Sequence, residues 1–253
     1  MQLLPGKFVW FEHQSPDVAA ARRFYDELFG WHTEMMPMGE QRYPLIMNGS
    51  AGIGGFTALA AGSASPQWRS YLSVADVDAS YRLAIVAGAK SLQGPTDFGE
   101  VGRGAVIQDP TGAAVALWTS SQGDHPDVPQ APVGNFCWTE LSTPDARRAL
   151  AFYEQVFGYG HQTETMPQGQ YHLLTKDGQQ RGGLMQCPDA KAPAKWLPYV
   201  AVASAEDTLA KAESLGARSL MSLHDVPHVG RMGMLTDPQG ASIAFIQLLP
   251  LAA

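Results

Sequence analysis

The chain has 253 residues, 45% of them apolar and 16% charged, with a formal net charge of -7. That length allows one or two globular domains, and the composition is that of a folded chain rather than a disordered one. The acidic balance argues against a nucleic-acid partner, no stretch is long and apolar enough to span a bilayer, and no secretory leader is recognisable, so a cytoplasmic protein without membrane partners is expected.

In chain order, residues 7–13 alternate and are rich in aromatics, which predicts a strand. Ser15-Pro16-Asp17 follows as a helix start, with Ser15 expected to cap and Pro16 to fill the first helical position. Ala21, Phe24 and Leu28 then share one helical face, and Gly30 supplies the left-handed residue after the end. Three short strands are expected around 33–36, 42–47 and 53–59. The pattern restarts with a strand at 69–74, a helix at 77–87 closed by Gly88, and strands near 90–93, 104–108 and 113–119. Residues 121–132, polar and punctuated by proline, read as a linker.

Beyond the linker the sequence repeats at a constant offset of 128. Gly6, Phe8, Trp10 and Glu12 return as Gly134, Phe136, Trp138 and Glu140, and Phe24-Tyr25 as Phe152-Tyr153. Tyr43 returns as Tyr171, Gly54-Gly55 as Gly182-Gly183, and Trp68 and Tyr71 as Trp196 and Tyr199. Gly102-Arg103 matches Gly230-Arg231, and Asp109-Pro110 with Gly112 matches Asp237-Pro238 with Gly240. The fold class expected is α+β: four β-α-β-β-β modules with mixed sheets, in two tandem domains at 1–120 and 133–253.

This ordered motif set, present twice, resembles the vicinal oxygen chelate superfamily, which includes glyoxalase I, bleomycin resistance proteins and extradiol dioxygenases. Within it the chain is most similar to tandem glyoxalase-like and hydroxylase-type proteins. The resemblance implies curved sheets around a pocket, where catalytic members hold a divalent ion through a His or Gln of the first strand, a His of the fifth and a Glu of the eighth. Carried over by the flanking motifs, these positions are Trp10, Arg69 and Ala116 in the first repeat and Trp138, Leu197 and Ala244 in the second. A catalytic divalent site needs about three His or carboxylate donors on one surface, so no metal and no cofactor is expected, and little glyoxalase I activity.

Side chains alternate along a strand, so residues sharing a face with those positions should line the pocket. These are Phe8, Trp10, Glu12, Arg69, Tyr71, Ser73, Ala114, Ala116 and Trp118, and, in the second repeat, Phe136, Trp138, Glu140, Leu197, Tyr199, Ala201, Ser242, Ala244 and Ile246. Trp10, Arg69, Tyr71, Trp118, Trp138 and Tyr199 are the candidate ligand-binding residues, and Glu12 and Glu140 the candidate catalytic ones. Each has a plainer alternative: the tryptophans as core filling, the tyrosine hydroxyls as partners of backbone carbonyls, the glutamates as structural acceptors. Arg103 and Arg231 read as surface or turn residues, the two Asp-Pro turns as turn chemistry, and Cys137 and Cys187 as structural thiols. His13, His32 and His161 do not form a site, and His224 and His228 fall in a loop. Two functions follow: binding of a small organic molecule in a metal-free aromatic pocket, or a metal-independent lyase, isomerase or hydroxylase-type reaction with a pocket glutamate as general base. Because the first repeat combines Glu12, Arg69, Tyr71 and two aromatic walls, while the second has Leu197 in place of the arginine, the first pocket is expected to be the functional one.

Overall fold

The computed structural model describes residues 2–251 apart from 39–40, 60–64 and 167–168. The first repeat runs β1 (Phe8–Ser15), α1 (Val18–Phe29), β2 (His32–Met38), β3 (Gln41–Asn48) and β4 (Ala51–Ala58). It continues with β5 (Gln67–Ser73), α2 (Val77–Val86), β6 (Lys90–Asp97), β7 (Gly102–Gln108) and β8 (Ala114–Ser120). The second runs β9 (Phe136–Thr143), α3 (Ala146–Phe157), β10 (Gly160–Met166), β11 (Gly169–Lys176) and β12 (Gln179–Gln186). It ends with β13 (Lys195–Ala201), α4 (Ala205–Ser214), β14 (Arg218–Ser219), β15 (His224–Val226), β16 (Gly230–Thr236) and β17 (Ser242–Leu248). Each element outside the β6 region recurs at an offset of 128; the counterpart of β6 is broken into β14 and β15.

Every module forms the same four-stranded pattern, with orders β2-β3-β4-β1, β5-β8-β7-β6, β10-β11-β12-β9 and β13-β17-β16-β14. In each, the opening strand lies parallel to the last of its module, and the remaining pairs are antiparallel. This mixed pairing, with helices packed on the strands, is the α+β architecture expected from the sequence. The parallel registers set Glu12 opposite Gly55, Glu140 opposite Gly183, Tyr71 opposite Ala116 and Tyr199 opposite Ala244.

The chain divides into two compact units, each drawing on both repeats. Unit I comprises Met1–Trp10, Arg69–Asp127 and Trp138–Leu197; unit II comprises Phe11–Trp68, Val128–Cys137 and Pro198–Ala253. At the centre of unit I the buried Tyr153 hydroxyl donates to Asp109 Oδ2 at 2.9 Å and accepts from the Trp196 indole at 2.8 Å. Unit II repeats this with Tyr25, Asp237 and Trp68, both hydrogen bonds being 2.9 Å. There His13, fully buried, adds its Nε2 to Asp237 Oδ2 at 2.8 Å, where unit I carries Leu141 at the corresponding place. The other oxygen of each aspartate accepts the amides of its own turn, from residues 111–113 and 239–241. The Asp-Pro motifs are therefore turn chemistry, as expected, and also the buried acceptors of a tyrosine.

Several local expectations need correction. The helix caps are Asp17 and Asp145, which accept from Ala20 and Arg148 amides, while Ser15 accepts from the Asp17 amide at 3.0 Å. The carboxylate, two residues later, takes the cap because its reach matches the amide three residues on. Pro16 thus precedes the helix. Phe8, buried, packs against Trp196 at 4.7 Å and is a core ring rather than pocket wall, while Phe136, half-buried, stacks on Phe11 at 4.1 Å. His224 opens β15 instead of lying in a loop. Arg103 and Arg231 tie their strands to the first turns of α2 and α4 through Asp78 and Glu206, both at 2.6 Å.

Candidate functional site

Unit I holds Trp10, Arg69, Tyr71, Trp118, Trp138 and Glu140; unit II holds Glu12 and Tyr199. Apart from Trp10, these residues of unit I form two separate groups. Ser70 of β5 and Thr139 of β9 are both buried and face each other at 3.4 Å. Strand alternation then turns Arg69 and Tyr71 to one side and Trp138 and Glu140 to the other.

The first group is aromatic. Tyr71 meets Trp118 edge-on with ring centroids 6.2 Å apart, and Phe98 lies 5.7 Å from Trp118 on another side. All three rings are half-buried. Trp118 can lie over β7 because Gly104 has no side chain: a Cβ there would sit 3.0 Å from the indole ring. The second repeat has Ile246, Val226 and Met232 where the first has Trp118, Phe98 and Gly104, and its Tyr199 is buried. The aromatic wall therefore belongs to the first repeat. Arg69 stands half-buried one residue from the facing Ser70, and its Nε has no hydrogen-bond partner among the described residues.

The second group is polar. Trp138 donates its indole N–H to the Tyr171 hydroxyl at 2.9 Å, and Tyr171 is hydrogen-bonded to Glu140, which is only 8% exposed. Burial, followed by the charge of Glu140, pushes the Tyr171 phenol well above its usual range; the indole hydrogen bond opposes this. The phenol reaches Glu140 by crossing β12 at Gly183, where a Cβ would overlap the hydroxyl. Unit II repeats the arrangement: Tyr43 donates to Glu12 at 3.2 Å across Gly55, whose Cβ would likewise strike the phenol, and Glu12 is 9% exposed. The sequence reading noted Tyr43 and Tyr171 as matched repeat positions without giving them a role. The available signal was the Gly-Gly pair, a gap in a strand that something must cross.

Trp10, Arg69 and Ala116, like Trp138, Leu197 and Ala244, offer an indole, a guanidinium or a hydrocarbon, none of which suits a divalent ion. Among the described residues no three His, Cys, Asp or Glu side chains lie close enough to hold a metal. A cleft of about 250 Å³ in unit II was not foreseen; Leu28, Phe29, Val133, Ser204 and Lys211 line it together with Ala201, and none of the candidate ligand-binding or catalytic residues does. No described helix is long and apolar enough to cross a membrane.

The sequence model of the Glyoxalase/Bleomycin resistance protein/Dioxygenase superfamily matches residues 7–117 and again 136–245. CFP32 of Mycobacterium tuberculosis, which carries a provisional glyoxylase name, is 35% identical over 248 residues, covering 95% of this chain and 94% of its own. DauV of a Streptomyces species, named an anthracycline biosynthesis protein, is 28% identical over 276 residues, with coverages of 96% and 94%. Among solved structures, the Mn(II)-bound glyoxalase of Novosphingobium aromaticivorans superposes with a TM-score of 0.67 at 14% identity, over 97% of this chain and 83% of that one. The 2,2',3-trihydroxybiphenyl 1,2-dioxygenase of Sphingomonas wittichii gives 0.63 at 15% identity, over 98% and 91%. At such identities the structural likeness speaks for the fold alone.

Proposed function

Because this chain belongs to the Glyoxalase/Bleomycin resistance protein/Dioxygenase superfamily, we propose that it binds a small organic molecule, without a catalytic metal, against the Tyr71, Trp118 and Phe98 rings. The observation that carries this reading is the set of three half-buried rings meeting at angles over a glycine-opened strand. Half-buried rings are what a planar ligand stacks on, and an aromatic wall with a few polar groups is the usual make-up of a small-molecule site. Arg69, next to Tyr71 on its strand face, suits an acidic or carbonyl substituent. The name of DauV suggests the first ligand to try, a polycyclic anthracycline. On the same reading the tandem domains span 1–120 and 133–253, joined by 121–132.

A second reading makes the protein a metal-independent lyase, isomerase or hydroxylase-type enzyme, with Glu12 or Glu140 as general base. It is favoured by the same Glu–Tyr–Gly arrangement standing in both repeats. The test is titration of the metal-stripped protein with an anthracycline and with a hemithioacetal, followed by tryptophan fluorescence and by mass spectrometry of the recovered ligand. Saturable quenching that Trp118→Phe reduces, with the ligand returned unchanged, is the result expected. Turnover abolished by Glu140→Gln or Glu12→Gln would favour the second reading. Activity that appears only on adding manganese or iron would overturn both.

A further inference from the structure

We infer that Tyr171 is the positioning residue of Glu140, the phenol holding that carboxyl group as a hydrogen-bond acceptor on the wall of β9; the inference rests on the reading of Glu140 as a site residue. The direction of the hydrogen bonds decides the matter. An indole N–H only donates, so the Tyr171 oxygen must accept from Trp138, and the phenol proton is left for Glu140. Were Glu140 protonated, its carbonyl oxygen could still accept the phenol proton, but as a weaker acceptor than the charged carboxylate. The chain Trp138 to Tyr171 to Glu140 is therefore strongest with the carboxylate charged. Glu164, directly opposite Tyr171 on β10, is the other acid that acts on the phenol, and it too raises the cost of a tyrosinate.

The backbone is arranged around this contact. Gly183 is the β12 residue opposite Glu140, and any larger residue there would occupy the space of the Tyr171 hydroxyl. A glycine in a strand interior costs conformational entropy and contributes no packing, so its place here is explained by the phenol that crosses it. Tyr171 itself is half-buried, with its proton committed to Glu140 and its oxygen to the indole, so it acts on a ligand through Glu140 rather than directly.

The test uses the full-length protein without ligand, so its outcome is independent of whether any ligand is found. Tyr171→Phe keeps the ring and removes only the hydroxyl. With 15N-labelled tryptophan and the Trp138 signal assigned from Trp138→Phe, Tyr171→Phe is expected to move the Trp138 indole proton upfield and speed its exchange at least about tenfold. Glu140→Gln should move the same signal in the same direction by less, because Glu140 reaches Trp138 only through the phenol. With 13C-labelled glutamate, Tyr171→Phe should shift the Glu140 titration to higher pH, since a hydrogen bond to the charged form is lost. A Trp138 signal indifferent to Glu140→Gln, or a Glu140 titration unmoved by Tyr171→Phe in a variant with parental dispersion, overturns the inference. Should Tyr171→Phe fail to fold, Glu140→Gln alone still decides it.

Discussion

Removing the Tyr25 hydroxyl by Tyr25→Phe takes a single oxygen from the middle of unit II, with no cavity left in the ring's place. That oxygen donates to Asp237 and accepts from Trp68, at 2.9 Å each, and both partners are almost fully buried. Loss of a hydrogen bond to a charged acceptor costs about 1.5–3 kcal/mol, and an indole N–H left buried without a partner costs about 1–3 kcal/mol more. Allowing for local relaxation, the variant should lose about 3–4 kcal/mol at pH 7. Burial alone would raise the Asp237 carboxyl, but the hydrogen bond and charge of His13, then Tyr25 and the Ala241 amide, hold it below the usual carboxylate value. A lowered folded value means that this contribution is present above about pH 4, the unfolded aspartate value, and is lost as pH falls through the folded one. The gap between parent and variant should therefore narrow in acid. Urea unfolding between pH 7 and pH 3, followed by tryptophan fluorescence, measures it. A loss below about 1 kcal/mol at pH 7, or a gap that stays constant into acid, would refute the reasoning.

Three further outcomes are expected. Gly183→Ala forces the Tyr171 phenol off Glu140 and should destabilise by about 1–3 kcal/mol through overpacking, read by the same urea titration together with the Trp138 indole signal. Asp17→Ala and Asp145→Ala each remove a helix cap and should cost about 1 kcal/mol, whereas Ser15→Ala should leave α1 capped; helix-resolved hydrogen exchange distinguishes the two. Arg69→Leu should weaken an acidic ligand by about 1.5–3 kcal/mol in calorimetric titration, while Leu197→Arg should leave that affinity nearly unchanged. Equal losses from both would place the ligand elsewhere.

The elements were legible because their signals are local. Glycine after an amphipathic run marks a helix end whatever surrounds it, and Gly30 and Gly158 do sit in the left-handed region, with φ of 73° and 66°. Offset self-similarity then carried the reading of one module to the others. The caps were misplaced by two residues because Ser15 and Asp17 are both competent acceptors, and only the path of the chain chooses between them. What could not be read was partnership between distant strands. His13 meets Asp237 across 224 residues, and Tyr43 meets Glu12 over a glycine of a third strand. Neither pairing has a periodicity of its own. The face of Phe8 was misread for a related reason, since alternation assigns sides reliably within a strand and less so at its first residue, where the pleat begins.

The differences between the repeats bear on which half does what. The Asp–Tyr–Trp network stands in both units, with histidine added in one and leucine in its place in the other, so it serves folding wherever the module occurs. The Glu–Tyr–Gly crossing is likewise present twice. The changes at Arg69/Leu197, Phe98/Val226, Gly104/Met232 and Trp118/Ile246 fall together on the β5–β8 module and its counterpart. If the aromatic group were only core filling, replacing Trp118 by isoleucine and Gly104 by methionine would be a simple exchange of volume between neighbours. Such an exchange does not account for the rings remaining half-buried in the first repeat while Tyr199 is buried in the second. Half-buried aromatic surface on one repeat, and a phenol crossing to a buried carboxylate on both, fit the proposed ligand site on the first repeat with a glutamate framework common to the two. On the proposed division, the ligand would be chosen by the first repeat, and general-base chemistry would draw on a glutamate that either repeat can hold.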